Sequence, residues 1–185
     1  VPGSKAIAWV EVVSDQAPFL VISDFDDTLA VTQVIRRRGL LRAALLQDAK
    51  SQPVVEGMAG WYDCMRKDKV ATPGFALVSG SPIQYVPRVA EFLQLHQFPP
   101  LGMYLRDLGP STLSGYKEPI LRRLLKQFPQ PVVLVGDSGE RDPEIYSLIR
   151  DEFPGRVLDI YIRNAGRTEE KGRFKDIFLF DDARQ

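Results

Sequence analysis

The chain has 185 residues, 44% of them apolar and 26% charged, which suits one globular domain, residues 1–185, rather than a disordered or fibrous chain. Its 24 basic and 24 acidic residues cancel, which argues against the broad basic footprint of a nucleic-acid-binding protein. No apolar run approaches the roughly 20 residues that span a bilayer, and the N-terminus lacks the basic, apolar and small-residue pattern of a secretory signal.

In chain order, Ile7 to Val13 alternates loosely and reads as an extra edge strand. Phe19 to Ser23 is a short apolar run ending at Asp24, the length of a buried parallel strand. Val34 to Ala49 reads as a helix, with Leu40, Leu41, Ala44 and Leu45 at helical spacing, and Val54 to Arg66 as a second. Phe75 to Ser79 repeats the first pattern, an apolar run ending in a small polar residue. A helix over Val86 to Leu95 and a weaker strand over Gly102 to Leu105 follow. Pro119 to Phe128 is an amphipathic helix with proline near its first turn. Val132 to Val135 is a third buried strand, ending at Gly136-Asp137, before a helix over Pro143 to Phe153 and a strand over Val157 to Ile162. The tail from Arg163 to Lys175 is charged and expected to be exposed, with Ile177 to Phe180 packing back. Strands alternating with helices predict an α/β fold, a doubly wound, Rossmann-like parallel sheet covered on both faces. Such sheets bind ligands at the carboxyl ends of their strands, where Asp24, Ser79 and Asp137 fall.

Four segments carry the chemistry. Asp24-Phe25-Asp26-Asp27-Thr28 places alternate carboxylates past a strand, where one can attack phosphorus and the other carry a proton. A divalent cation would offset their repulsion. On its own the segment also reads as a polar turn or helix cap. A calcium loop would need Gly and Glu where Leu29 and Ile35 stand. Ser79-Gly80-Ser81 offers a hydroxyl and backbone N–H groups for a phosphate, or simply a cap before Pro82. Lys117, at a helix start, can neutralise charge on a phosphoryl oxygen, although most such lysines are solvated surface. Gly136-Asp137-Ser138-Gly139-Glu140-Arg141-Asp142 sets two carboxylates on a glycine-containing loop, which suits a cation. Its Gly-Asp-Ser-Gly string also occurs in trypsin-like proteases. That chemistry needs a histidine base, and the one histidine, His96, lies inside a predicted helix of an α/β chain.

Taken in order, Asp24/Asp26/Thr28, Ser79, Lys117 and Asp137/Asp142 resemble the motif set of the haloacid-dehalogenase superfamily of phosphatases. The strings ISDFDDTL, VSGSP, VGDSGERDPEIY and FPGRVLDIYIR are more narrowly similar to the catalytic domain of the actin-patch-associated phosphatidate phosphatase family. This resemblance implies an Asp24 nucleophile that forms an aspartyl-phosphate and an Asp26 acid and base. It implies Mg²⁺ held by Asp24, the Asp26 backbone carbonyl, Asp137 and Asp142. Ser79, Gly80 and Lys117 would bind the phosphoryl group, and Thr28 would support the first loop. The implied substrate is phosphatidate or a related lipid phosphate at a membrane surface. A phosphatase for a nucleotide, sugar phosphate or phosphoprotein, and an inactive lipid-binding module, are the competing readings. The intact Asp24, Asp26, Lys117 and Asp137 speak against the module.

About 50 residues separate Thr28 from Ser79, enough for a small helical insertion but not a full cap domain. An open site of this kind favours a bulky substrate. Arg36, Arg37, Arg38 and Arg42 either attract anionic headgroups, at about 1 kcal/mol per basic residue, or form a solvated helix face. Trp61, Tyr62 and Met65 sit at helical spacing and are assigned to the core. Cys64 and His96 are assigned structural roles, and the lone thiol suits a reducing compartment. With the lipid substrate that the resemblance implies, the expectation is a cytoplasmic protein, peripheral at membranes.

Overall fold

The computed structural model describes residues 12–32, 49–67, 72–107, 115–166, 168 and 171–184. The arginine cluster, the predicted helix over 34–49 except Ala49, and most of the 7–13 strand lie outside them. The described elements are β1 (Leu20–Ser23), α1 (Met58–Lys67), β2 (Gly74–Pro82), α2 (Val86–Leu95), β3 (Gly102–Arg106), α3 (Lys117–Gln127), β4 (Val132–Asp137), α4 (Asp142–Glu152), β5 (Val157–Arg163) and β6 (Phe178–Phe180). Short 3-10 turns stand at Ile83–Tyr85 and Lys171–Phe174.

The strands form one six-stranded parallel sheet in the order β3-β2-β1-β4-β5-β6. Apolar side chains of β1 and β4 alternate between two cores because successive strand residues point to opposite faces. Val21, Val133 and Val135 pack with Met58, Tyr62, Val89 and Phe92 of α1 and α2. Leu20, Ile22, Val132 and Leu134 pack with Leu121, Leu124 and Leu125 of α3 and Ile145, Tyr146 and Ile149 of α4. Helices thus cover both faces, and this explains why these strands read as continuous apolar runs. The strand order reverses direction at β1, and in such sheets the crevice beside that strand receives the ligand. Between Thr28 and Ser79 the described residues hold one helix, α1. No helix among the described residues is long and apolar enough to cross a membrane.

Several sequence expectations need correction. The helix predicted from Val54 begins at Met58, because Val54 instead bridges Ala30 across the chain. Cys64 is exposed rather than a packed structural residue, since it lies on the outer side of α1 while Met58 and Tyr62 point inward. The tail is not uniformly exposed. The Arg173 side chain, 5% exposed, pairs with Glu144 and donates to the carbonyls of Ser138 at 3.1 Å and Glu140 at 2.7 Å. The segment expected to pack back adds β6 to the sheet edge, with Phe178 and Leu179 still exposed. Tyr62 is buried as expected, and Trp61 packs edge-on against Tyr161 with ring centroids 5.4 Å apart. His96 stacks obliquely on Phe92, with ring centroids 4.4 Å apart.

Candidate active site

Asp24 follows β1 directly, and its N–H donates to the Val135 carbonyl at 2.8 Å, carrying the β1–β4 ladder one residue past the strand. That bond holds the Asp24 backbone beside the end of β4, where Asp137 is the last strand residue. Asp142 opens α4 and turns back over the same loop, accepting the Asp137 N–H at 3.3 Å. One oxygen from each of Asp24, Asp137 and Asp142 lies within 4.8 Å of the other two, and all three residues are buried.

Lys117, the first residue of α3, reaches into this cluster. Its Nζ lies 2.5 Å from Asp142 Oδ1, 3.0 Å from Asp24 Oδ1 and 3.8 Å from Glu140 Oε2. Burial alone would lower the lysine's pKa, but Asp142 and Asp24 outweigh it and hold the ammonium well above its ordinary value. Burial pushes Asp24 well above the carboxylate range, against the opposing pull of Lys117. Asp137 rises for the same reason, with Asp142 adding repulsion. Asp137 Oδ1 accepts the N–H groups of Gly139 at 2.7 Å and Glu140 at 3.2 Å.

Asp24 Oδ2 and Asp137 Oδ2 are buried and have no hydrogen-bond donor. A buried carboxylate oxygen without a donor is costly, and three neighbouring carboxylates supply the hard oxygen ligands that Mg²⁺ prefers. The residues therefore fit a divalent cation. Gly136 is needed for this closeness. A Cβ there would collide with the Asp142 carboxylate and stand 2.8 Å from Tyr146 Cε2. Gly136→Ala is expected to destabilise the protein by about 1–3 kcal/mol through overpacking. Thermal unfolding should show the lowered midpoint, and an unchanged midpoint would mean that the loop yields freely.

Asp26 faces elsewhere. Its Oδ2 receives Ser81 Oγ at 2.8 Å and Ser79 Oγ at 3.3 Å, so its carboxylate is not one of the three clustered ones. The sequence-based assignment had Asp26 near the metal through its backbone carbonyl only. Burial raises the Asp26 pKa, and the Ser81 hydrogen bond opposes the rise. Asp27 takes a left-handed backbone at φ 53°, a region aspartate tolerates better than most residues. Its carboxylate accepts the Thr32 N–H at 2.8 Å, and its carbonyl accepts Arg163 Nη1 at 2.8 Å. Arg163 sits beside Asp137 in the β4–β5 register, so it ties the first acidic loop to the sheet edge. Thr28 is buried with an unpaired hydroxyl. Gly80 lies over Tyr116, where an added Cβ would meet the ring at 3.4 Å, and its carbonyl accepts Arg106 Nε at 3.1 Å.

The structure therefore brings Asp24, Lys117, Asp137 and Asp142 together, with Asp26, Ser79 and Gly80 at the adjoining end of β2. Sequence reasoning assigned no role to Ser81, Glu140, Arg163 or Arg173. Glu140 and Ser81 lie within the segments 136–142 and 79–81, so their position marks them. The two arginines act across the fold, and no local signal marks them.

The family model described as "Phosphatidate phosphatase APP1, catalytic domain" matches residues 19–164. The chain is 35% identical over 152 residues to "Phosphatidate phosphatase APP1" of Saccharomyces cerevisiae, covering 77% of this chain and 25% of that protein. It is 33% identical over 162 residues to "Uncharacterized protein C29B5.04c" of Schizosaccharomyces pombe, covering 82% and 26%. The chain thus spans about a quarter of the length of these fungal relatives. Two solved structures share the fold. One is a chain of the Pnkp1/Rnl/Hen1 complex, with TM-score 0.55 and 17% identity, covering 89% of this chain and 52% of that one. The other is DsGPDH of Dunaliella salina, with TM-score 0.57 and 12% identity, covering 92% and 35%. By the family match and its fungal relatives, this chain belongs to the phosphatidate phosphatase APP1 catalytic-domain family.

Proposed function

We propose that the chain is a single catalytic domain of the haloacid-dehalogenase type, hydrolysing phosphomonoesters through an aspartyl-phosphate at Asp24. One observation carries the reading: a buried carboxylate, Asp24, lies in one cluster with two further carboxylates and a buried lysine, while a fourth carboxylate, Asp26, stands apart on two serine hydroxyls. This division of labour is what phosphoryl transfer through a covalent intermediate requires.

Asp24 attacks phosphorus with a carboxylate oxygen. The bond from phosphorus to the leaving oxygen breaks, and that oxygen takes a proton from Asp26. Asp26 then accepts a proton from water, whose oxygen attacks phosphorus and returns the electron pair to Asp24. Lys117 neutralises charge on the phosphoryl oxygens, and the Gly80 backbone, beside the Ser79 hydroxyl that holds Asp26, orients the group. Asp24, Asp137, Asp142 and the Asp26 carbonyl would hold Mg²⁺, which supplies charge neutralisation to a loose phosphoryl transition state.

The substrate class we propose is phosphatidate or a related lipid phosphate, met by a peripheral cytoplasmic protein at a membrane surface. The family and the name of the yeast relative support it. The test is a panel in Mg²⁺ comparing phosphatidate in mixed micelles with glycerol 3-phosphate, a nucleoside monophosphate and a phosphopeptide. We expect phosphatidate to have the highest kcat/KM, and EDTA to abolish turnover until Mg²⁺ is returned. Soluble esters turning over about a thousandfold faster than phosphatidate would end the lipid assignment. Undiminished turnover after exhaustive chelation would end the metal assignment.

A further inference from the structure

The resemblance assigns Ser81 no role, yet it makes the shorter of the two serine side-chain contacts to Asp26. Residues 79 and 81 stand two apart on β2, so a regular strand would point both to one face. The β2–β3 register shifts between Ser79 and Pro82, an irregularity that re-aims the strand end. Both hydroxyls converge on a single oxygen, Asp26 Oδ2, at 2.8 Å from Ser81 and 3.3 Å from Ser79. Ser81 is buried, 4% exposed, and Ser79 is fully buried.

The direction of these bonds follows from a third contact. The Ser81 N–H donates to Ser79 Oγ at 3.0 Å, which occupies that oxygen as an acceptor and turns its hydrogen toward Asp26. Ser79 therefore donates to Oδ2, and Ser81 donates through its hydroxyl to the same atom. An oxygen that accepts two hydroxyl donors is a poor place for a carboxylic proton. The proton then belongs on Oδ1, the oxygen of Asp26 that neither serine touches.

We propose that Ser81 is a positioning residue that, with Ser79, fixes the Asp26 carboxyl plane and directs its transferable proton to Oδ1. This rests on the aspartyl-phosphate reading above. In the first half-reaction the Asp24 oxygen bonds to phosphorus while the ester P–O bond breaks. The electron pair goes to the leaving oxygen, and that oxygen takes the proton from Asp26 Oδ1. In the second, water gives its proton to the same Oδ1 while its oxygen bonds to phosphorus and the Asp24–phosphorus bond breaks. Ser81 never exchanges a proton with substrate. It keeps the carboxyl from rotating, so that one atom serves both steps.

The experiment compares kcat/KM, which reports the steps up to the aspartyl-phosphate, for two esters in Mg²⁺. Short-chain phosphatidate expels a diacylglycerol alkoxide, which needs a proton. p-Nitrophenyl phosphate expels a stable phenolate, which does not. For Ser81→Ala we expect the loss on phosphatidate to exceed the loss on the aryl ester by about tenfold or more, a fraction of what a full general acid supplies. Ser81→Thr, which keeps the hydroxyl, should recover most of the activity lost on phosphatidate. Ser81→Cys is near in size and a weak donor, so it carries the same test if the alanine variant folds poorly. Equal losses on both esters, or no loss on either, would overturn the proposal. If the wild-type protein cleaves neither ester, the aspartyl-phosphate reading itself has failed, which is a separate outcome.

Discussion

Asp24→Asn is expected to lower kcat on the preferred phosphomonoester by about 10⁴-fold or more, the scale on which a nucleophile's removal is felt. The fold should survive. Asparagine keeps the shape and an oxygen that Lys117 can still donate to, replacing the 3.0 Å ion pair with a neutral hydrogen bond. It also removes one of three mutually repelling carboxylates, a repulsion that contributes to the raised pKa of Asp24. The expected thermal midpoint is therefore close to that of the wild type. Measuring kcat and unfolding in one buffer separates the two effects. A folded Asp24→Asn protein retaining more than about a tenth of wild-type turnover would mean that another group attacks phosphorus, because an amide oxygen is far too weak a nucleophile. Trapping supplies a second readout: brief exposure to radiolabelled substrate followed by acid quench should label wild-type protein and leave the variant unlabelled.

Much of this site is legible in the sequence because of where apolar runs stop. A buried parallel strand reads as a short unbroken run, and the polar residue that ends it marks the sheet's carboxyl edge. Asp24, Ser79 and Asp137 are found that way; Asp24 follows β1 and Asp137 ends β4, whereas β2 runs past Ser79 to Pro82. The order of the strands is not legible, since parallel strands joined by crossovers look alike whichever neighbour they choose. That Asp24 and Asp137 face one crevice depends on β1 pairing with β4 rather than with β3. The roles of Arg163 and Arg173 are hidden for a related reason. Each is an ordinary charged residue in a polar stretch, and its meaning comes from carbonyls 136 and 35 residues away in sequence. Ser81 lies between these cases. Period-two spacing puts it with Ser79, but their shared partner, one oxygen of Asp26, lies 53 and 55 residues away in sequence. Cys64 shows the reverse, a residue assigned a structural role that the outer face of its helix does not give it.

Lys117→Met should have the largest effect on stability, and its sign depends on what else can balance charge. The ammonium lies between Asp142 and Asp24, with no exposure beyond 3% for any of the three side chains. Removing one partner of a buried ion pair leaves the other as an uncompensated charge, at a cost of about 3–5 kcal/mol. Methionine fills the volume but offers nothing to either carboxylate. In EDTA the variant should therefore unfold roughly 10 °C below the wild type, by the usual conversion for a domain of this size. Added Mg²⁺ should recover much of that difference if the carboxylates bind it, since a dication between them replaces the missing positive charge. Activity should stay low even then, because the cation sits on the carboxylates while Lys117 is the group able to reach the phosphoryl oxygens. Unfolding midpoints measured with and without Mg²⁺, alongside turnover, read the two roles separately. An EDTA-treated variant as stable as the wild type would show that the carboxylates shed their charge without help. A stable variant indifferent to Mg²⁺ would deny that they form a cation site at all.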